Sequence, residues 1–167
     1  INSGIAHTFS NVSNGPMWKA KFHDTGDFVL TAADDGAIKL FDLQAVKMRQ
    51  QYRSHTDSVN GLMWQPFTNF FVSGGADRSV SIWDMRTGLT VQTFYGHMNA
   101  INDCAFSIGG QYVASVDADG ICKLWDIRQV SQVFTADIGD TAINCVTFDK
   151  TGKYVIIGCS NGEVKML

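Results

Sequence analysis

The stretch DADGICKLWDIR, Asp117 to Arg128, sets a tight-turn signal before a run of alternating apolar and polar residues that closes on Trp-Asp. Its parts recur along the chain. Asp42, Asp84 and Asp126 stand at a step of 42 residues, Phe41, Trp83 and Trp125 keep that step, and Leu167 occupies the next place in the series. The register holds without gaps elsewhere, through Phe22, Trp64, Phe106 and Phe148, through Phe28, Phe70, Tyr112 and Tyr154, and through Asp35, Asp77, Asp119 and Asn161. An internal period of this length decides the fold before any single segment does, because each unit must be one supersecondary block that stacks on its neighbours.

Within a unit the hydrophobic period is two rather than 3.6, as in YVASV, CKLWDI and SVSIWDM, so the elements are strands. Turn signals such as DTGD, ADDG, RTG, DADG and SNG punctuate them, and the chain holds 2 prolines. Three to four short antiparallel strands per unit are expected, and four in a unit of this length closing on Trp-Asp are the pattern of a propeller blade. The chain resembles a run of WD repeats, and the fold class this implies is an all-β WD-repeat β-propeller, present as a partial, open arc. The expected units are residues 11–53, 54–95, 96–137 and a truncated 138–167. Residues 1–10, with Ile5 to Phe9 as a strand, are expected to be the outer strand of a preceding blade, and an open arc predicts further blades before Ile1, after Leu167, or both.

Composition narrows the function. The formal net charge of −3 over 167 residues gives no general attraction to nucleic acid or an acidic membrane, which needs clustered Lys and Arg. No apolar run reaches membrane-span length, and INSGIAHTFS lacks the basic start and apolar centre of a signal peptide, so a cytoplasmic chain is expected. Cys104, Cys122, Cys145 and Cys159 contain no Cys-x-x-Cys pair and read as reduced, small apolar residues. No His pair has metal-ligand spacing, and Gly74-Gly75 and Gly109-Gly110 read as turn or bulge residues rather than phosphate cradles. No metal, cofactor or small-molecule substrate is expected.

The resemblance to WD repeats implies a hydrogen-bonded set of His, Ser or Thr, Asp and Trp in each unit. Carried over by position, it is His55, Ser73, Asp77 and Trp83 in the second unit and His97, Ser115, Asp119 and Trp125 in the third. The first unit is partial, with Thr31, Asp35 and Phe41 but Ser13 at the His position, and the fourth has Gly139, Ile157, Asn161 and Leu167. His, Ser and Asp are also the residue types of a hydrolase triad. A set that repeats, and that the family buries between strands, is expected to tie the blade together and do no chemistry.

YGHMNAIND at Tyr95 to Asp103, DADGICKLWDIR, and TADIGDTAINCVTFDKTGKYV at Thr135 to Val155 are similar to the C-terminal propeller of the sperm-associated antigen 16 family. HTDSVNGLMWQPFTN and SNGEVKML agree with it. That resemblance implies a non-enzymatic scaffold in the central apparatus of the ciliary axoneme, with other central-apparatus proteins as partners and tubulin beside them. The alternative is a cytosolic adaptor such as a ubiquitin-ligase substrate receptor. By resemblance to other WD-repeat proteins, the rim positions expected to meet partners are Trp18, Asp34, Ser58, Asn60, Asn102, Asn144 and Ser160, the Asn row having a local backbone hydrogen bond as its other reading. Lys47, Arg49 and Arg53 alternate on an expected outer strand, where charges oppose edge-to-edge pairing.

Overall fold

In the computed structural model, residues 7–10 and 12–167 are described, and among them every regular element is a strand. The first sheet is β1 Met17–Phe22, β2 Phe28–Ala33, β3 Ala37–Asp42 and β4 Lys47–Arg53. The second is β5 Val59–Trp64, β6 Phe70–Gly75, β7 Ser79–Asp84 and β8 Thr90–Tyr95. The third is β9 Ile101–Phe106, β10 Tyr112–Asp117, β11 Ile121–Asp126 and β12 Ser131–Asp137. The fourth has three strands, β13 Ile143–Phe148, β14 Val155–Cys159 and β15 Val164–Met166. Each sheet is an antiparallel meander in chain order, so the expected all-β architecture of stacked blades in an open arc is what forms. Within the segment expected as an outer strand, Ile5 and Ala6 lie outside the described residues, and His7 to Phe9 form no strand; the Phe9 ring lies 4.6 Å from Phe41.

The 42-residue register becomes packing because alternation along a strand sends one residue set to each neighbouring blade. Leu30, Ala32, Ile38, Leu40 and Tyr52 of the first blade meet Val59, Leu62, Trp64, Phe71 and Trp83 of the second in one buried cluster. Val72, Val80, Ile82 and Phe94 repeat that contact against Ile101, Cys104, Phe106, Val113 and Trp125. The aromatics carry these two interfaces: Tyr52 lies with its ring centroid 5.0 Å from Phe71 and 5.8 Å from Trp83, and Trp125 packs on Phe94 with centroids 5.2 Å apart. Burying one such side chain contributes about 2–3 kcal/mol. The third interface has small residues in their place, with Ala114, Val116 and Cys122 against Ile143, Val146 and Ile157.

The innermost strands β1, β5, β9 and β13 lie side by side along the axis of the arc. Gly61 is required there, because a Cβ on it would sit 2.8 Å from the Cys104 amide nitrogen. Lys19 Nζ on the first blade reaches Asp103 Oδ1 on the third, at 3.3 Å. With four strands to a blade, the loops that bear His55 and His97 fall at one end of the arc, the upper end. The turns at residues 23–27, 43–46, 65–69, 85–89, 107–111, 127–130 and 149–153 fall at the other, the lower end.

Candidate functional site

The upper end is organised by the two His sets. In the second blade Trp83 Nε1–H donates to Ser73 Oγ at 2.8 Å, and that hydroxyl lies 2.7 Å from His55 Nε2. Because the indole can only donate, the single Ser73 proton goes to Nε2, which places the His55 proton on Nδ1, 2.9 Å from Asp77 Oδ2. The chain of donors therefore runs from Trp through Ser and His to Asp. Asp77 also accepts from the Thr56 and Ser79 amides, closing the loop before β5 onto the turn before β7. Burial alone would raise the Asp77 carboxyl, but the hydrogen bond and electrostatic pull of His55, with the bonds from Ser79, outweigh it and hold the group at about 2.

The third blade builds the same chain with one change. Trp125 Nε1 donates to Ser115 Oγ at 2.8 Å, Ser115 Oγ lies 2.6 Å from His97 Nε2, and His97 Nδ1 meets Asp117 Oδ2 at 2.7 Å. The carboxylate of this set is Asp117, which corrects the expectation of Asp119. Asp119 is exposed and accepts instead from Asn99 Nδ2 at 2.7 Å. The reason is visible at Gly75, the equivalent of Asp117 in the second blade: a Cβ there would stand 2.8 Å from both His55 Nδ1 and Asp77 Oδ1. Glycine opens the space through which Asp77 reaches back, whereas in the third blade the side chain of Asp117 fills that space itself. Alternation held the missed signal, since residues two apart share a face and Ser115-Val116-Asp117 aims both polar groups at His97. His97 and Asp117 are fully enclosed, and burial pushes the His97 pKa below its ordinary value against the opposing pull of Asp117.

Among the described residues the first and fourth blades have no such chain. Ser13 Oγ accepts from the Gly15 amide, and Asp35 pairs with the buried Lys39 at 3.1 Å and takes the Ala37 amide. Thr31 Oγ1 has no hydrogen-bond partner among the described residues, because Phe41 carries no N–H and no imidazole reaches it. The fourth blade is apolar at the equivalent centre, with Ile157 fully buried and Leu167 against the cluster, while Asn161 bonds only within its own turn, to Glu163. His23 was not singled out by the sequence. It ties the first blade to the second, with Nε2 3.1 Å from the Thr68 carbonyl oxygen and its ring edge-on to Trp64.

The rim positions divide. Asn60 Nδ2 donates to the Ile101 carbonyl and Asn102 Nδ2 to the Ile143 carbonyl, each at 2.9 Å, so this row stitches one innermost strand to the next blade rather than to its own backbone. Ser58 is half-buried and donates to Asn60 Oδ1. Trp18, 52% exposed, and the exposed Asp34, Asn144 and Ser160 present their side chains to solvent. Lys47 and Arg49 are exposed on the outermost strand, Arg49 lying 3.7 Å from Asp42 and over the Phe28 ring. Both His sets are closed to substrate, since Ser73 and Ser115 are fully buried and each hydroxyl is engaged on two sides. Cys104, Cys122 and Cys159 are buried free thiols, and burial pushes Cys122 up to about 12. No cluster with metal-ligand chemistry occurs among the described residues.

A family model described as WD domain, G-beta repeat, matches residues 5–42, 46–84, 88–126 and 129–166. No curated protein matches the chain. The three windows from residue 46 on each run from the outermost strand of one sheet through three strands of the next, so 46–84 covers β4 with β5, β6 and β7, and the covalent repeat laces adjacent blades together. The four windows, three of which end at Asp42, Asp84 and Asp126 with buried His-Ser-Trp chains behind two of them, account for nearly the whole sequence, and the chain belongs to the WD-repeat family.

Proposed function

WD-repeat proteins serve in general as protein–protein interaction scaffolds, and we propose that this chain is a non-enzymatic scaffold of the axonemal central apparatus in motile cilia and flagella. The observation that carries the scaffold reading is the state of the polar centres. The Ser73 and Ser115 hydroxyls of the two His sets are sealed inside the blades, while Trp18, Asp34, Asn144 and Ser160 are exposed on the rim. An exposed Trp among polar side chains is the composition of an interface anchor. The axonemal assignment rests on the similarity of YGHMNAIND and of the His-less connection DIGDTAIN to the sperm-associated antigen 16 family. Its partners are other central-apparatus proteins, with tubulin beside them, in the cytoskeleton of the cilium or flagellum.

The test is the location of the tagged full-length protein in a flagellated cell and in the same cell lacking the central pair. Signal along the axoneme that is lost with the central pair is expected. Diffuse cytoplasmic signal in both would overturn the axonemal assignment in favour of a soluble adaptor.

A further inference from the structure

Each outermost strand ends its sheet, and such an edge offers unpaired backbone groups to any strand that meets it unless charges guard it. The first and third blades carry that guard. Arg53 closes β4 and Asp137 closes β12, and Lys47 and Arg49 add to the first. The second blade does not, for β8 reads TVQTFY with no charged residue, and Tyr95 stands at the position that Arg53 and Asp137 hold, 42 residues away on either side. Tyr95 is 76% exposed, and Val91 and the Leu89 that precedes the strand are 55% and 68% exposed.

The free groups of this edge follow from the ladder. The Asp84 amide donates to the Leu89 carbonyl at 3.1 Å, so β7 turns the backbone of alternate residues, Asp84, Ile82 and Val80, toward β8. Their partners Gln92 and Phe94 are thereby occupied, and the N–H and C=O groups of Thr93 and Tyr95 point away from the sheet. No strand lies beyond β8 among the described residues. The Thr93 carbonyl takes the Gln92 side-chain amide, at 3.1 Å, in place of a ladder partner. A register shift between Ile82 and Trp83 sets Val91 out of the ladder, so the regular edge runs from Gln92 to Tyr95. The same shift interrupts the pairing of β4 and of β12, which leaves the closing residue to distinguish β8 from both.

We propose that β8 pairs with β8 of a second copy, antiparallel and about a two-fold axis at Phe94, joining the second blades of two chains edge to edge. That symmetry sets Thr93 of each copy opposite Tyr95 of the other, so the outward groups of both strands find their complements and an aromatic side chain meets a β-branched one. A second copy is the occupant because the strand matches itself under the two-fold. No charge meets its like there, whereas β4 on β4 would gather the cations of both copies on one edge, and β12 on β12 would bring two Asp137 carboxylates to it. The contact uses none of the rim residues and is independent of where in the cell the protein works.

The test is sedimentation velocity of the full chain over about a hundredfold range of concentration. Association to a dimer is expected, with Tyr95→Arg and Tyr95→Asp each weakening it at least about tenfold. Both substitutions put at an exposed place the residue type that a neighbouring blade holds there, so both variants should melt with the parent chain, and their loss of association cannot be ascribed to unfolding. Amide hydrogen exchange at the two ends of the concentration range should show Thr93 and Tyr95 gaining protection in the dimer while Gln51 and Arg53 of β4 do not. Met166→Ser, at an exposed apolar residue of the fourth blade, should leave association unchanged. A monomer throughout, or association that both Tyr95 variants leave intact, overturns the proposal. So does association lost through Met166→Ser, which would place the contact on the fourth blade.

Discussion

Removing a hydroxyl should have opposite consequences in the first and second blades. Ser73→Ala takes away a fully buried group that lies 2.8 Å from the Trp83 indole nitrogen and 2.7 Å from His55 Nε2. Both partners are left without a bond in a dry interior, and an orphaned buried polar group costs about 1–3 kcal/mol. The sum is about 3 kcal/mol, which for a chain of this size lowers Tm by roughly 6–12 °C. Thr31→Val removes the equivalent hydroxyl from a blade in which it has no partner among the described residues, and valine keeps the shape. That change should be neutral or raise stability by about 1 kcal/mol, the hydroxyl's own desolvation being relieved. Ser115→Ala, with bonds of 2.6 and 2.8 Å, should match Ser73→Ala within about 1 kcal/mol. The assay is urea unfolding followed in parallel by near-UV and far-UV circular dichroism, because repeat arrays can lose cooperativity and the two signals must coincide for a single free energy to apply. Equal losses from Ser73→Ala and Thr31→Val would refute the reasoning, since the blades would then be held by packing at this position and not by the bridging hydroxyl.

Gly75→Asp should destabilise the second blade by crowding His55 and Asp77, and adding Asp77→Asn should recover much of the loss by recreating the arrangement of the third blade; a double-mutant cycle in urea checks this, and strictly additive losses would contradict it. The buried His97 should make stability fall as pH drops below about 6.5. Its folded pKa is depressed, so below the unfolded value the unfolded chain takes up a proton that the folded one resists, and the stability present above that pH is progressively lost. Urea midpoints at pH 7.5 and 5.5 for the parent and for His97→Gln measure this, and an unchanged slope in the variant would exclude His97 as its source.

What the sequence determined by itself is the repetition and everything that follows from period. A step of 42 residues with two-residue alternation admits strands alone, and the same alternation puts Trp83 and Trp125 on one face of their strands, the face that the structure packs against the preceding blade. The polar set of the second blade forms with the four residues that the resemblance to WD repeats implied, Asp77 lying 2.9 Å from His55 Nδ1, and Ser79 joins it. The third blade was misread by two residues for a physical reason: position in the repeat points to Asp119, whereas the two-residue alternation from Ser115 turns Asp117 toward His97 and leaves Asp119 on the exposed turn. Position in a repeat likewise could not tell that Asn60 and Asn102 spend their amides on the next blade, since those bonds join residues 41 apart whose closeness exists only once the sheets stack. The reach of Lys19 to Asp103 across a blade, and the gathering of Phe67 and Ile108 at one end, belong to the tertiary structure alone. A linear pattern records which face a side chain takes within its own strand. What that face meets is set by the stacking angle and spacing of the blades, which no single unit encodes.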